Sequence, residues 1–151
     1  MTIYIGSDEN GDALRELLIE ELKIKNYSVI NFNERLSHDG DLYPDIANGL
    51  CKKVLQNKDS RGILICGTGI GMCISANKVP GIRASVCHDV YSAERSMKSN
   101  NCQIMCMGAQ IVGDQLAKKL VDIWVNCSFE GGRSIPKVDR INYYDEKYRT
   151  K

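Results

Sequence analysis

The sequence predicts an α/β fold: a three-layer sandwich with a five-stranded parallel sheet in the middle and helices on both faces. Two observations carry this. Short runs rich in β-branched and apolar residues alternate with longer stretches of helical periodicity, the pattern of successive βαβ units. The run GILIC at residues 62–66 is apolar throughout, as a central strand covered on both faces requires.

The elements follow in order. Residues 2–6 (TIYIG) are β-branched and aromatic and form a first strand. Residues 12–25 place Leu14, Leu17, Leu18, Glu21 and Leu22 at helical spacing, with charges between them. Residues 27–32 (YSVINF) read as a second strand, and residues 33–43 as a polar loop long enough to rim a site. Residues 44–56 form a helix that opens on Pro44 and keeps Ile46, Ala47, Leu50, Val54 and Leu55 on one face. After the third strand at 62–66 come a short helix at 71–78, a fourth strand at 83–87 and a helix at about 91–98. A fifth strand at 104–107 follows, then an amphipathic helix at 114–126 and a more polar last helix at about 136–148. Crossovers between parallel strands are right-handed, which puts helices on both faces. Ligands in such sheets bind beyond the carboxyl ends of the strands. That rule singles out residues 6–11, 66–71 and 88–91.

Composition excludes several classes. The 151 residues suit one domain, 1–151, without internal repeats, linkers or low-complexity tracts. A net charge of +1 leaves no electrostatic footprint for nucleic acid. No apolar run approaches the ~20 residues of a membrane span, and the first residues do not resemble a signal peptide. The seven cysteines, odd in number and set in apolar segments, fit reduced thiols in a cytoplasmic protein better than a disulfide framework. With no Cys-x-x-Cys pair and two isolated histidines, His38 and His88, the sequence calls for no metal.

The chemistry-bearing stretch is Cys66-Gly67-Thr68-Gly69-Ile70-Gly71, between a buried strand and a helix. Three glycines let the backbone approach a ligand, and their N–H groups form an anion-binding concavity. A cysteine there is favoured as thiolate, which would make Cys66 the most acidic of the seven, able to act as base or nucleophile. The alternative is a buried cysteine before a tight turn. The spacing is not the G-x-G-x-x-G of a dinucleotide site.

The stretch CGTGIGMCISANKVPGIRASVCHDVYSAERSMKSNN, with IGSDENG, Tyr43-Pro44-Asp45, MGAQIVGDQLAKKLVDIWV and FEGGR, resembles the type B ribose-5-phosphate isomerases and the galactose-6-phosphate isomerase subunits over nearly the whole chain. The resemblance implies a Rossmann-like sheet, no metal or cofactor, and a homodimer or tetramer whose active sites are shared between subunits. It also implies aldose–ketose isomerisation through an enediol, ribose 5-phosphate to ribulose 5-phosphate by default. On that basis Cys66 is the base, and residues 67–71 stabilise the enediolate oxygens as an oxyanion hole does. Thr68 assists at the sugar. Asp8 binds sugar hydroxyls or helps open the ring, Asn100 contacts the sugar, Arg133 grips the phosphate, and Tyr43 stands near the site.

The departures concern the other half of the chemistry. Where the family usually has Cys-Asp-His, this chain has Ser7-Asp8-Glu9; where it has His-Asn, with the His as ring-opening acid, this chain has Ser99-Asn100. A family Arg becomes Gln110, and another becomes Lys137, which holds phosphate as a point charge but not bidentately. Glu9 could act as a general acid or bind hydroxyls; otherwise it is an exposed loop carboxylate. The pattern retains the enediol machinery and alters ring opening and phosphate binding. It points to a shorter, open-chain or differently phosphorylated substrate, with a non-catalytic sugar-phosphate-binding subunit as the rival. His88 reads as a surface histidine, Lys78 and Arg83 as solvated or dimer-contact charges, and Trp124, Met72, Met105 and Met107 as core.

Overall fold

The computed structural model of the chain describes residues 1–35 and 42–149. Five strands, β1 (Thr2–Ser7), β2 (Ser28–Asn31), β3 (Ser60–Cys66), β4 (Ala84–Val86) and β5 (Ile104–Gly108), form one sheet in the order β2-β1-β3-β5-β4. Every pairing is parallel, with β1 matched to β3 from Thr2↔Ser60 to Ser7↔Ile65 and β3 matched to β5 from Gly62↔Ile104 to Cys66↔Gly108.

Strand side chains alternate between two cores. Ile3, Ile5, Ile63, Ile65, Met105 and Met107 point to one face, where they meet the apolar stripes of α1 (Asp12–Ile24), α4 (Val90–Lys98) and α5 (Asp114–Asn126). Tyr4, Leu64, Cys66, Ile104 and Cys106 point to the other, against α2 (Tyr43–Gln56) and α3 (Ile70–Ala76). The faces follow from the direction of travel. The connections β2→β3 and β3→β4 step one way across the sheet and place α2 and α3 on one side. The connections β1→β2 and β4→β5 step back and place α1 and α4 on the other, as a single crossover handedness demands. The chain therefore reverses direction between β1 and β3, and the crevice at their carboxyl ends is the switch point where such sheets bind ligands.

Helix α6 (Ile135–Lys147) is peripheral: Val138 is its only buried residue, while Ile135, Ile141, Tyr143 and Tyr144 are exposed. Trp124, Met72, Met105 and Met107 are core residues, as expected, and the Arg61 guanidinium lies 5.4 Å from the Trp124 ring centroid.

Two details differ from the sequence reading, and a third lies partly outside the described residues. β2 ends at Asn31, because Phe32 turns inward in a short 3-10 turn (Phe32–Arg35) and packs on Gly49, where a Cβ would lie 2.8 Å from its ring. Of the expected rim loop at 33–43, residues 36–41 lie outside the described residues. Arg83 is not a solvated charge: it is half-buried and donates to the carbonyls of Asn100 and Asn101 and to Asn142 Oδ1.

Candidate active site

β3 delivers Cys66 to the carboxyl edge of the sheet, and the chain must then enter α3 within three residues. The turn is possible because two backbones meet without side chains. Gly69 has φ +77°, and a Cβ on it would lie 2.8 Å from the Met107 carbonyl carbon; a Cβ on Gly108 would lie 2.6 Å from that of Thr68. β5 tracks the loop further: the Ala109 N–H donates to the Cys66 carbonyl at 2.8 Å, and the Gln110 N–H to the Gly67 carbonyl at 3.0 Å. The Cys66 side chain is buried, and its Sγ accepts the Gly69 N–H at 3.1 Å. Thr68 is exposed, and its Oγ1 accepts the N–H of Ile70, two residues on, at 3.3 Å. The Gly69 N–H, at the N-cap of α3, thus lies on the Cys66 sulfur, while Thr68 takes the N–H of Ile70.

Other candidates converge on this edge. Asp8 leaves β1 next to the end of β3, where its N–H donates to the Ile65 carbonyl at 3.1 Å. Its carboxylate accepts from the N–H groups of Asn10 and Gly11, at 3.0 and 3.2 Å, and so stiffens the turn that presents Glu9 to solvent. Tyr43, at the start of α2, lays its ring on Gly71: a Cβ there would lie 2.7 Å from the ring and 2.9 Å from its hydroxyl. The Gln110 amide borders Gly67, where a Cβ would be 3.2 Å from Oε1. Asp8, Glu9, Tyr43, Cys66, Gly67, Thr68, Gly69, Ile70, Gly71 and Gln110 therefore belong to one edge.

Ser99, Asn100, Arg133 and Lys137 do not. Ser99 and Asn100 precede β5, whereas Cys66 pairs with Gly108 at its end, so they are separated by at least the strand, about 13 Å at ~3.3 Å per residue. The Ser99 hydroxyl accepts two bonds from Arg95, at 3.0 and 2.8 Å. Arg95 also pairs with Glu130, and the Glu130 N–H donates to the Lys98 carbonyl, which brings the segment before Arg133 to the end of α4. Lys137 is exposed on α6, which docks on the amino end of β4 through Asn142 with Arg83 and Asp145 with the Gly81 N–H.

Several supporting groups escaped the sequence reading. Asn33 clamps the end of β1, accepting the Ser7 N–H at 3.0 Å and donating to the Ser7 carbonyl at 2.8 Å. Arg15, buried beneath, donates to Ser7 Oγ at 2.6 Å and pairs with Asp12. Neither residue carries a sequence signal beyond its polarity. His88 is no surface histidine: it is half-buried, and its Nε2 accepts the Gly108 N–H at 2.9 Å. Its place at the carboxyl end of β4 was the available clue.

All seven cysteines are free. Burial pushes the thiols of Cys51 and Cys102 up to about 12 and raises Cys87 and Cys106 as well. The expectation that Cys66 is the most acidic thiol meets a competitor in Cys73. That thiol is lowered to about 7, chiefly because the Cys106 thiol donates a hydrogen bond to it, with the Val86 backbone and Asn77 adding to the effect against burial.

A glycine-cradled thiol at the switch point of a doubly wound sheet, with a carboxylate from the adjacent strand, is the setting of an enediol isomerase. A family model, "Ribose/Galactose Isomerase", matches residues 3–141, and the chain belongs to that family: it is an aldose–ketose isomerase. It is 50% identical to the Ribose-5-P isomerase B of Listeria innocua, over 99% of this chain and 100% of that protein. It is 44% identical to the D-erythrulose-4-phosphate isomerase of Pectobacterium atrosepticum, over 97% of each. Among solved structures, Clostridium thermocellum ribose-5-phosphate isomerase B superposes with a TM-score of 0.90 at 41% identity, covering 98% of this chain and 99% of that one. The Mycoplasma genitalium enzyme with bound ribulose 5-phosphate superposes with a TM-score of 0.88 at 36% identity, covering 96% of both. Among the described residues no helix is long and apolar enough to cross a membrane.

Proposed function

We propose that this chain interconverts D-erythrulose 4-phosphate and its aldose, a four-carbon substrate that stays open-chain. The Cys66 thiolate removes a proton from the carbon next to the carbonyl and returns it to the neighbouring carbon, while N–H groups of residues 67–71 hold the enediolate oxygens. Asp8 and Tyr43 contact the sugar.

The carrying observation is at position 99. The family's ring-opening histidine is a serine here, tied to Arg95 by two hydrogen bonds, and a serine hydroxyl is too weak an acid to protonate a ring oxygen near neutral pH. An aldotetrose 4-phosphate has its O4 esterified and cannot close a furanose, so it needs no such acid. The name of the Pectobacterium relative supports the same choice.

Ribose 5-phosphate is the second reading. Glu9, exposed beside Asp8, is a carboxyl group that could open a ring in place of the missing histidines, and the Listeria relative bears that enzyme's name. The test is kcat/KM on both sugar phosphates for the unmodified chain and for Ser99→His, Gln110→Arg and Glu9→Gln. The four-carbon substrate should be favoured, and Ser99→His and Gln110→Arg should raise activity on ribose 5-phosphate. If the unmodified chain is already fast on ribose 5-phosphate, neither change improves it and Glu9→Gln removes it, the second reading replaces the first.

The whole chain, 1–151, acts as one domain and as a homodimer or dimer of dimers, in a reducing cytoplasm that suits its free thiols. The split of the candidate residues between two sheet edges supports a site in which Ser99, Asn100, Arg133 and Lys137 of one copy meet Cys66 of another, with the apolar face of α6 at the contact. Mixing inactive Cys66→Ala and Arg133→Ala chains should then restore up to about a quarter of full activity, since half the dimers are mixed and each holds one intact site. A monomeric solution mass, or no recovery on mixing, would exclude sharing.

A further inference from the structure

We propose that His88 is a positioning residue for the isomerisation: its neutral imidazole holds the Gly108 amide, and through Gly108 the floor on which the Cys66–Gly69 loop rests. The inference rests on the reading of Cys66 as the base.

The ladder between β4 and β5 stops early. Its last pair is Val86↔Cys106, followed by the Cys87 N–H donating to the Cys106 carbonyl at 2.9 Å, after which the chain turns into α4 with Asp89 as N-cap. β5 continues to Gly108, which is buried. Its N–H would be left without a strand partner, and a buried amide without an acceptor is rare because it forfeits its hydration for nothing. The His88 ring supplies that acceptor at 2.9 Å.

Gly108 is the hub of the site's floor. It pairs with Cys66 across the sheet. Its carbonyl accepts the N–H groups of Ile111 and Val112, at 2.9 and 3.0 Å, which fixes the turn carrying Gln110. Thr68 and Gly67 lie so close that a Cβ on Gly108 would be 2.6–2.8 Å from their backbone atoms, and a Cβ on Gly69 would lie 3.1 Å from the Gly108 nitrogen. A shift of β5 at this point therefore moves the loop directly, with no soft side chain between.

The contact also fixes the ring's chemistry. A backbone amide nitrogen can only donate, so Nε2 must carry the lone pair and Nδ1 the proton. A cationic imidazole would set N–H against N–H and lose the contact. Burial of the ring favours its neutral form, opposed by the Asp89 carboxylate next to it.

The test uses the full-length protein with His88→Ala and His88→Gln, the latter presenting Oε1 near the place of Nε2. Nitrogen-15 NMR of the unmodified protein should show the His88 tautomer protonated at Nδ1. Hydrogen exchange at the Gly108 amide should be 10- to 100-fold faster in His88→Ala and be restored in His88→Gln. On whichever sugar phosphate is turned over faster, kcat should fall about 10- to 100-fold in His88→Ala with KM within threefold, the scale of a misplaced reacting group, and recover in His88→Gln. An Nε2-protonated ring, unchanged Gly108 exchange, or a His88→Ala enzyme with normal kcat would each overturn the proposal. If neither sugar phosphate is turned over, the proposed function fails, and the tautomer and the exchange still judge the role of His88. If His88→Ala does not fold, the tautomer and the His88→Gln kinetics decide.

Discussion

Replacing Gly108 with alanine tests the loop geometry with a single methyl group. The new Cβ would lie 2.6 Å from the Thr68 carbonyl carbon, 2.7 Å from its Cα and 2.8 Å from the Gly67 oxygen, all backbone atoms that cannot rotate aside. Ordinary contact begins at 3.4 Å, so loop and strand must part by about 0.8 Å, and a misplacement near 1 Å costs up to ~100-fold in rate. We expect kcat/KM to fall 10- to 100-fold. Overpacking of about 1–3 kcal/mol, at roughly 2–4 °C per kcal/mol for a chain of this size, lowers Tm by several degrees without unfolding the protein. The control is Gly113→Ser: Gly113 N-caps α5 with φ −80°, and a Cβ there meets nothing within 4 Å. A serine is a favourable cap, so activity and Tm should hold or Tm rise slightly. Steady-state kinetics and thermal melts of both variants provide the comparison. A Gly108→Ala protein whose kcat/KM stays within threefold of the unmodified chain would refute the claim that backbone contact between β5 and the loop sets the thiol's position.

Two further outcomes follow. Cys66→Ala should lower kcat/KM at least ~100-fold, the scale of losing a general base, with secondary structure by circular dichroism unchanged; near-normal turnover would remove the base assignment. In that Cys66→Ala background, Cys73 should be alkylated ahead of Cys51, Cys87, Cys102 and Cys106, because its pKa is lowered to about 7 while burial raises theirs. Its rate should rise with pH through about 7 as the thiolate forms and fall at lower pH; mass spectrometry after brief iodoacetamide treatment reads the order.

Most of the fold was legible because its signals are local. Apolar runs such as GILIC, helical spacing in residues 12–25 and 114–126, and Pro44 at a helix start depend on near neighbours in the chain, and the observed elements fall within a residue or two of those readings. β2 ends one residue early for a tertiary reason: Phe32 continues the strand pattern, yet the space over Gly49 draws it inward. The glycine loop was legible too, since residues 66–71 are contiguous and only glycine tolerates the backbone that the turn imposes at position 69.

The sequence by itself determined the alternation of strands and helices, the thiol in its glycine turn and the acidic loop after the first strand. Each is written in consecutive residues, and short-range sterics and hydrophobic periodicity suffice to read it. Only the tertiary structure decided what lies beside what. It set β5 between β3 and β4, which makes Gly108 the floor of the loop and gives His88 a backbone amide to hold. It put Asn33 and Arg15 behind Ser7, let Cys106 acidify Cys73, and sent Ser99 and Arg133 to the far edge of the sheet from Cys66. Apart from Arg15, eight positions from Ser7, these are relations between residues at least 20 positions apart in the chain. Nothing in the local sequence encodes which strand packs next to which; that choice is made by burying two apolar faces at once under a single crossover handedness.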